Sequence, residues 1–195
     1  MLKKLLFGIA IVGALYCQSQ GISGSAISFL KLDQEDEFII SPAVKLERNN
    51  HTWDFGPSLL FSFGDQVEER QALKLTGLVV SYAHFLHGKE AKWNLFHSFD
   101  FVAQRIKDTQ DSQYFDSESN AFVPNEIKQI DKSLFLSANA GILLNLTDKL
   151  GLSQSIGIGA NIVFRDTESS IDSFSDTFFR QKWLLKTSFN YRIGN

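Results

Sequence analysis

The chain predicts an all-β fold, an eight-stranded antiparallel up-and-down transmembrane β-barrel, and three observations carry that expectation. The last segment, residues 182–193, places Trp183, Leu185, Thr187, Phe189, Tyr191 and Ile193 on one parity. Lys182, Lys186, Ser188, Asn190 and Arg192 take the other, with Leu184 as the exception. A period of two describes a two-faced strand, and a chain ending on a long aromatic-rich strand can close a barrel against its first. Seven earlier segments repeat the alternation, and the links between them alternate in length.

The N-terminus reads as an export signal. Lys3 and Lys4 precede an apolar run over residues 5–16 and a polar exit at 17–20. This is too short for a spanning helix and has the layout of a cleaved signal peptide, so residues 1–19 are expected to be the signal and 20–195 the barrel domain. Cys17 raises a lipoprotein alternative, but Tyr16 stands where a lipid-modified cysteine normally has a small neighbour. Removing Lys3 and Lys4 leaves 17 basic against 22 acidic residues, a net charge of −5, which argues against nucleic acid as a partner. No second apolar run reaches ~18 residues, so a membrane-spanning form has to be a barrel.

The elements follow in order. Residues 22–31 are a Ser- and Gly-rich strand with an ambiguous inner face. Residues 38–47 set Phe38, Ile40, Pro42, Val44 and Leu46 against Ile39, Ser41, Ala43, Lys45 and Glu47. Pro42 makes the pairing near it imperfect, and Arg48-Asn-Asn-His51 supplies a tight turn. Residues 52–64 are the cleanest case, with Trp53, Phe55, Pro57, Leu59, Phe61 and Phe63 against Asp54, Gly56, Ser58, Leu60, Ser62 and Gly64. In residues 72–86, Leu73, Leu75, Val79, Ala83 and Phe85 oppose Lys74, Thr76, Tyr82 and His84, although Leu78 and Val80 sit on the polar side.

Residues 92–105 oppose Trp93, Leu95, Phe99, Phe101 and Ala103 to Asn94, Ser98, Asp100 and Gln104. Residues 133–145 oppose Leu134, Leu136, Ala138, Ala140, Ile142 and Leu144 to Ser133, Ser137, Asn139, Gly141 and Asn145. Residues 150–165 oppose Leu152, Ile156, Ile158, Ala160, Ile162 and Phe164 to Gly151, Ser153, Ser155, Gly157, Gly159, Asn161 and Arg165. The links at 48–51, 87–91 and 146–149 are tight turns. Those at 32–37, 65–71, 106–131 and 166–177 are polar and longer. Because antiparallel strands send successive links to opposite ends, one end is trimmed and the other elaborated.

On these strands and links the whole mature chain resembles the small eight-stranded outer-membrane barrels, the OmpA-transmembrane and OmpX-like superfamily with its porin-like domain. The resemblance implies a Gram-negative outer-membrane location, surrounded by outer-membrane lipid and lipopolysaccharide. The usual terminal Phe is replaced here by Gly194 and Asn195. A soluble periplasmic lipocalin-like barrel would show the same alternation turned inside out. Small interior positions such as Ser153, Ser155, Gly157 and Gly159 favour the narrow membrane barrel. Trp53, Trp93 and Tyr191 are expected to form an interfacial belt, with ordinary core aromatics as the plain alternative. Inside the wall, Lys45, Glu47, Asp54, Lys74, His84, Asp100, Arg165, Lys182, Lys186 and Arg192 are expected to form a salt-bridged plug, since buried charges have to pair.

Some barrels of this kind modify lipids. His97-Ser-Phe-Asp100 cannot be a local triad, because His97 points away from Ser98 and Asp100 on a strand. Lipid A deacylase barrels carry a His-x-Ser-Asn type motif, and residues 136–141 place Leu136 where its His belongs. His84 with Asp100 or Ser98 on the neighbouring strand stays open. No cofactor motif and no His/Cys metal spacing occur. Seventeen of the 22 acids fall in the four long links, which suits either solvation or divalent cations. The expected function is therefore a non-enzymatic barrel whose external loops mediate adhesion, surface interaction or envelope integrity, with a rim-located lipid-modifying enzyme as the alternative. The segment 106–131, with Tyr114, Phe115, Phe122, Val123 and Pro124 among its acids, is expected to contact an extracellular partner or cap the mouth.

Overall fold

A computed structural model describes residues 22–32, 37–62, 74–87, 91–116, 121–169 and 173–192. The expected signal peptide, residues 33–36 and 63–73, and Ile193 lie outside the described residues. The strands are β1 (Ile22–Leu32), β2 (Glu37–Arg48), β3 (His51–Ser62), β4 (Lys74–Phe85), β5 (Trp93–Asp116), β6 (Ala121–Asn145), β7 (Leu150–Glu168) and β8 (Ser173–Arg192). Each pairs antiparallel with its neighbour in chain order, and β8 returns to β1 over Gly24↔Arg192 to Leu32↔Leu184, closing an all-β barrel. Closure removes the edges that an open sheet of this length would expose.

At the trimmed end the turns at 48–51 and 146–149 are as expected, and residues 88–90 of the 87–91 link lie outside the described residues. Asn49 takes the left-handed conformation, φ 54°, in a two-residue connection between Arg48 and His51. Near Pro42 the β2–β3 ladder is interrupted, resuming only at Ile40↔Leu59 and Val44↔Phe55. Pro42 and Pro57 face each other across the gap by register, and neither has an N–H to give.

The elaborated end differs from expectation. Residues 106–131 are not a loop. β5 and β6 continue as a hairpin to Asp116↔Ala121, and most of the 166–177 link belongs to β7 and β8, which stay paired up to Glu168↔Ser173. These extensions lack an apolar face, so no period of two marks them, yet antiparallel backbone pairing needs no such face.

The second correction concerns β4. The β3–β4 register slips between Ser58↔Gly77 and Leu59↔Leu75, leaving Thr76 as an extra residue. This bulge reverses the parity of everything after it. A Cβ on Gly77 would come 1.8 Å from the Ala103 carbonyl oxygen, so the bulge needs glycine. Beyond it Val79, Ser81 and Phe85 are buried, and Tyr82 and His84 lie on the outer face. His84 is therefore not an interior residue. Leu78 and Val80, anomalous on one uninterrupted parity, face outward with it.

The remaining faces follow the alternation. Ile156 is 59% exposed, Leu136 57% and Trp183 54%, whereas Ser137, Ser155, Lys182 and Lys186 are buried. Across the interior, Leu30, Ile39, Leu60, Val79, Val102, Phe135 and Leu184 form one apolar layer drawn from seven strands, with Ile106 above it. β7 contributes Gly159, where a Cβ would meet the Phe135 ring at 2.7 Å. A smaller floor of Phe85, Phe96 and Leu143 lies toward the trimmed end.

Candidate functional site

Polar chemistry is concentrated between the two apolar layers. Lys186, on β8, donates to Asp100 at 2.6 Å and to Ser81 at 2.7 Å. Ser81 donates to the same carboxylate, and Asn139 donates to its other oxygen at 2.8 Å. Asp100 is 0% exposed, and three donors plus a full countercharge are what hold a carboxylate at that depth. Gly157 leaves the room that Asn139 occupies, since a Cβ there would sit 1.9 Å from Asn139 Oδ1. Nearer the trimmed end, Lys45 donates to Asn190 at 2.6 Å and stands 3.6 Å from Asp54. Arg192 and Glu47 approach to 3.9 Å. On the other side of Lys186, a hydroxyl and amide cluster joins Ser58, Thr76 and Gln104 at 3.0 to 3.1 Å.

These contacts alter the expected plug. The cross-section is closed by the apolar layer, while the charges fall into separate groups. Lys182 is buried one inward-facing step above Leu184, and Lys74 is exposed at the elaborated end of β4. Arg165 stands higher still and grips Asp131 with two hydrogen bonds of 2.9 and 2.8 Å. Apolar closure costs less than a continuous ionic one, because each buried ion adds desolvation that only good geometry offsets. Beside Lys45, Asp54 and Lys186, the interior keeps a cavity of ≈ 30 Å³, room for one or two water molecules.

The candidate catalytic pairs are separated by the wall. His97 is exposed on the outside, while Ser98 and Asp100, 3% and 0% exposed, point inward. The bulge in β4 puts His84 on the outer side too, so it does not meet Asp100 or Ser98. Asn139, in the stretch compared with the deacylase motif, serves Asp100.

Trp53, Trp93 and Tyr191 all face outward, 45, 60 and 46% exposed, and Tyr82 joins Trp53 with ring centroids 4.7 Å apart. Parity reasoning missed Tyr82; the signal that could have found it was the pair Leu78 and Val80 on the wrong side.

Above the barrel, the outer face turns from apolar to charged. Lys132 and Asp166 pair at 2.7 Å, both well exposed, next to the apolar Leu134 and Phe164. Hydrogen bonds from Lys132 and Ser175 hold the Asp166 carboxyl below the usual carboxylate range. On the inner side of the same wall Arg165 and Arg180 lie over the Phe178 ring at 5.0 and 4.6 Å. The acids expected to crowd loops thus stand partly on strands, and Asp131 and Asp166 have cationic partners. Asp33, Glu35, Asp36, Asp65, Glu68, Glu69, Glu118 and Asp172 lie outside the described residues. Among the described residues no group of three His, Cys, Asp or Glu side chains is placed to hold a metal ion.

The β5–β8 wall rises past the rest of the rim. β4 pairs with β5 only to Gly77↔Gln104, and β1 with β8 only to Leu32↔Leu184. From Arg105 to Asp116 on β5 and from Ser173 to Trp183 on β8, no described strand covers the outer edge. Beyond Lys128↔Glu168 the β5–β6 hairpin continues alone for seven rungs. No protein-family model matches the chain, and no curated protein does.

Proposed function

We propose that this chain is an outer-membrane barrel of the OmpA-transmembrane and OmpX-like kind, exported by its N-terminal signal, and that it works by presenting the β5–β8 wall outside the cell for adhesion or surface interaction. The membrane part is supported by side chains arranged opposite to those of a soluble protein. Trp, Leu, Ile and Phe are exposed around the barrel, while Ser, Asn, Asp and Lys are buried within it. Such an apolar belt far exceeds the patches a soluble monomer shows. On β6 it runs from Leu134 to Leu144, which at ~3.3 Å per residue and a tilt of ~40° is roughly 25 Å tall, the height of a barrel's lipid-facing band. A lipocalin-like reading needs an open apolar interior, and this one is occupied by side chains.

The observation that carries the interaction role is the projecting wall, with two edges that no described strand covers. Unpaired N–H and C=O groups on a rigid strand recruit an extended segment of another chain. The acids Asp108, Asp131, Asp166, Glu168 and Asp176 keep the wall soluble and limit uncontrolled pairing.

Two measurements test this reading. A tag inserted at Ser119 is expected to bind antibody on intact cells while the protein keeps heat-modifiable mobility on a gel. Labelling only after permeabilisation, or recovery in the soluble periplasm, refutes the placement. The register also allows a clean truncation. Thr109 faces Lys128, so residues 110–127 can be replaced by Asn-Gly as a two-residue turn. The shortened barrel should still assemble, and attachment of expressing cells to a protein-coated surface should fall to the level of cells lacking the protein. Undiminished attachment excludes the hairpin as the contact element.

A further inference from the structure

On the lipid side of the wall, four basic residues stand shoulder to shoulder on four consecutive strands. Arg48 on β2 is opposite His51 on β3, His51 is opposite His84 on β4, and His84 is opposite His97 on β5. The rings of His51 and His84 stack at 4.6 Å, and those of His84 and His97 lie 4.9 Å apart. Tyr82 hydroxyl and His51 Nδ1 are 2.6 Å apart, which ties the row to the aromatic pair Tyr82 and Trp53. Among the described residues near the row, no acid shares its face. Glu47, Asp54 and Asp100 turn inward by parity, and beyond His97 the register continues to Ala140.

The row is placed in depth as well as along the surface. Arg48 and His51 flank the turn at the trimmed end, His84 is one residue from the end of β4, and His97 is the fifth residue of β5. A line drawn across strands tilted by ~40° climbs about 3 Å per strand. The four side chains therefore rise by roughly 9 Å from Arg48 to His97, from the headgroup level into the boundary of the hydrocarbon. Around them the face is apolar, with Phe55, Trp93, Leu95 and Phe99 exposed. Basic side chains on a lipid-facing surface are costly unless something satisfies them.

We infer that this row is a binding site for the headgroup of an anionic glycerophospholipid. Arg48 and His51 meet the phosphate at the outer level, and the deeper imidazoles offer N–H donors to the glycerol ester carbonyls. The depth profile matches the ligand, because in such a lipid the esters lie inward of the phosphate. Net negative charge is selected because no carboxylate among the described residues near the row opposes it. Arg48 supplies the fixed positive charge, and the imidazoles add N–H donors beside it. The inference rests on the membrane reading above.

The test reconstitutes the full barrel in zwitterionic bilayers with a minor fraction of anionic phosphatidylglycerol, with the acyl chains of one lipid or the other brominated. Trp93→Phe and Trp183→Phe leave Trp53, two residues from His51, as the only reporter. At neutral pH brominated phosphatidylglycerol is expected to quench Trp53 as though enriched about fivefold over its mole fraction, the factor expected for one net basic side chain. The enrichment should vanish when Arg48, His51, His84 and His97 are all replaced by Gln. Quenching that follows mole fraction, or an enrichment that survives the fourfold replacement, overturns the site. Absence of quenching by either lipid, in a chain with normal heat-modifiable mobility, instead overturns the membrane reading.

Discussion

Asp100→Leu is expected to destabilise the barrel by about 3–5 kcal/mol, because it strands the Lys186 ammonium in the interior. Asp100 is fully buried and Lys186 nearly so, and the carboxylate accepts from Lys186, Ser81 and Asn139 together. Without it the ammonium keeps Ser81 as a partner but no countercharge. The measurement is the urea midpoint of unfolding in detergent or lipid. Pairing Asp100→Leu with Lys186→Met should recover much of the loss, since two apolar groups of similar volume often replace a buried pair at little cost. The double-mutant cycle separates this coupling from loss of packing. A single substitution that leaves the midpoint unchanged would show that the pair is not held together in the folded barrel.

On the proposed membrane placement, Ile158→Arg is expected to cost ~2 to 4 kcal/mol, the range for a cation at the midplane of a barrel's lipid face. Ile158 is 40% exposed, between inward-facing Gly157 and Gly159. Ile158→Leu should assemble like the parent, because on that placement the position requires apolar character rather than a given shape. Gly159→Arg should also fail, for the separate reason that Phe135 already fills the space beside Gly159. Gel mobility before and after heating separates assembled from unassembled forms. Normal assembly of Ile158→Arg alongside failure of Ile158→Leu would reverse the assignment of faces.

Most of the wall could be read from residue order because burial in a barrel is set by parity, a local property. Ile156, Ile158 and Ile162 against Ser155, Gly157 and Asn161 already separate outside from inside on β7. The interior was less legible. Phe135, Val102 and Leu184 occupy inward positions, but nothing local to them says that they meet Leu30, Ile39 and Leu60 in one layer.

What the amino-acid order determined by itself was therefore the strand count, the antiparallel winding, tight turns at one end and the apolar outside of six strands. These depend on neighbouring residues and on links too short to do anything but reverse the chain. Tertiary structure alone decided three things: the parity of β4, the height of the β5–β8 wall, and the partners of the buried charges. Thr76 becomes a bulge only when Leu75 and Gly77 are both held against β3; that one extra residue moves His84 from the interior to a row with His51 and His97. Residues 106–116 and 121–131 show no alternating apolar face in their order, so their pairing is settled by the backbone ladder continuing from Arg105↔Lys132. Asp100 and Lys186 are 86 residues apart in the chain; only closure of the barrel brings them together across its interior.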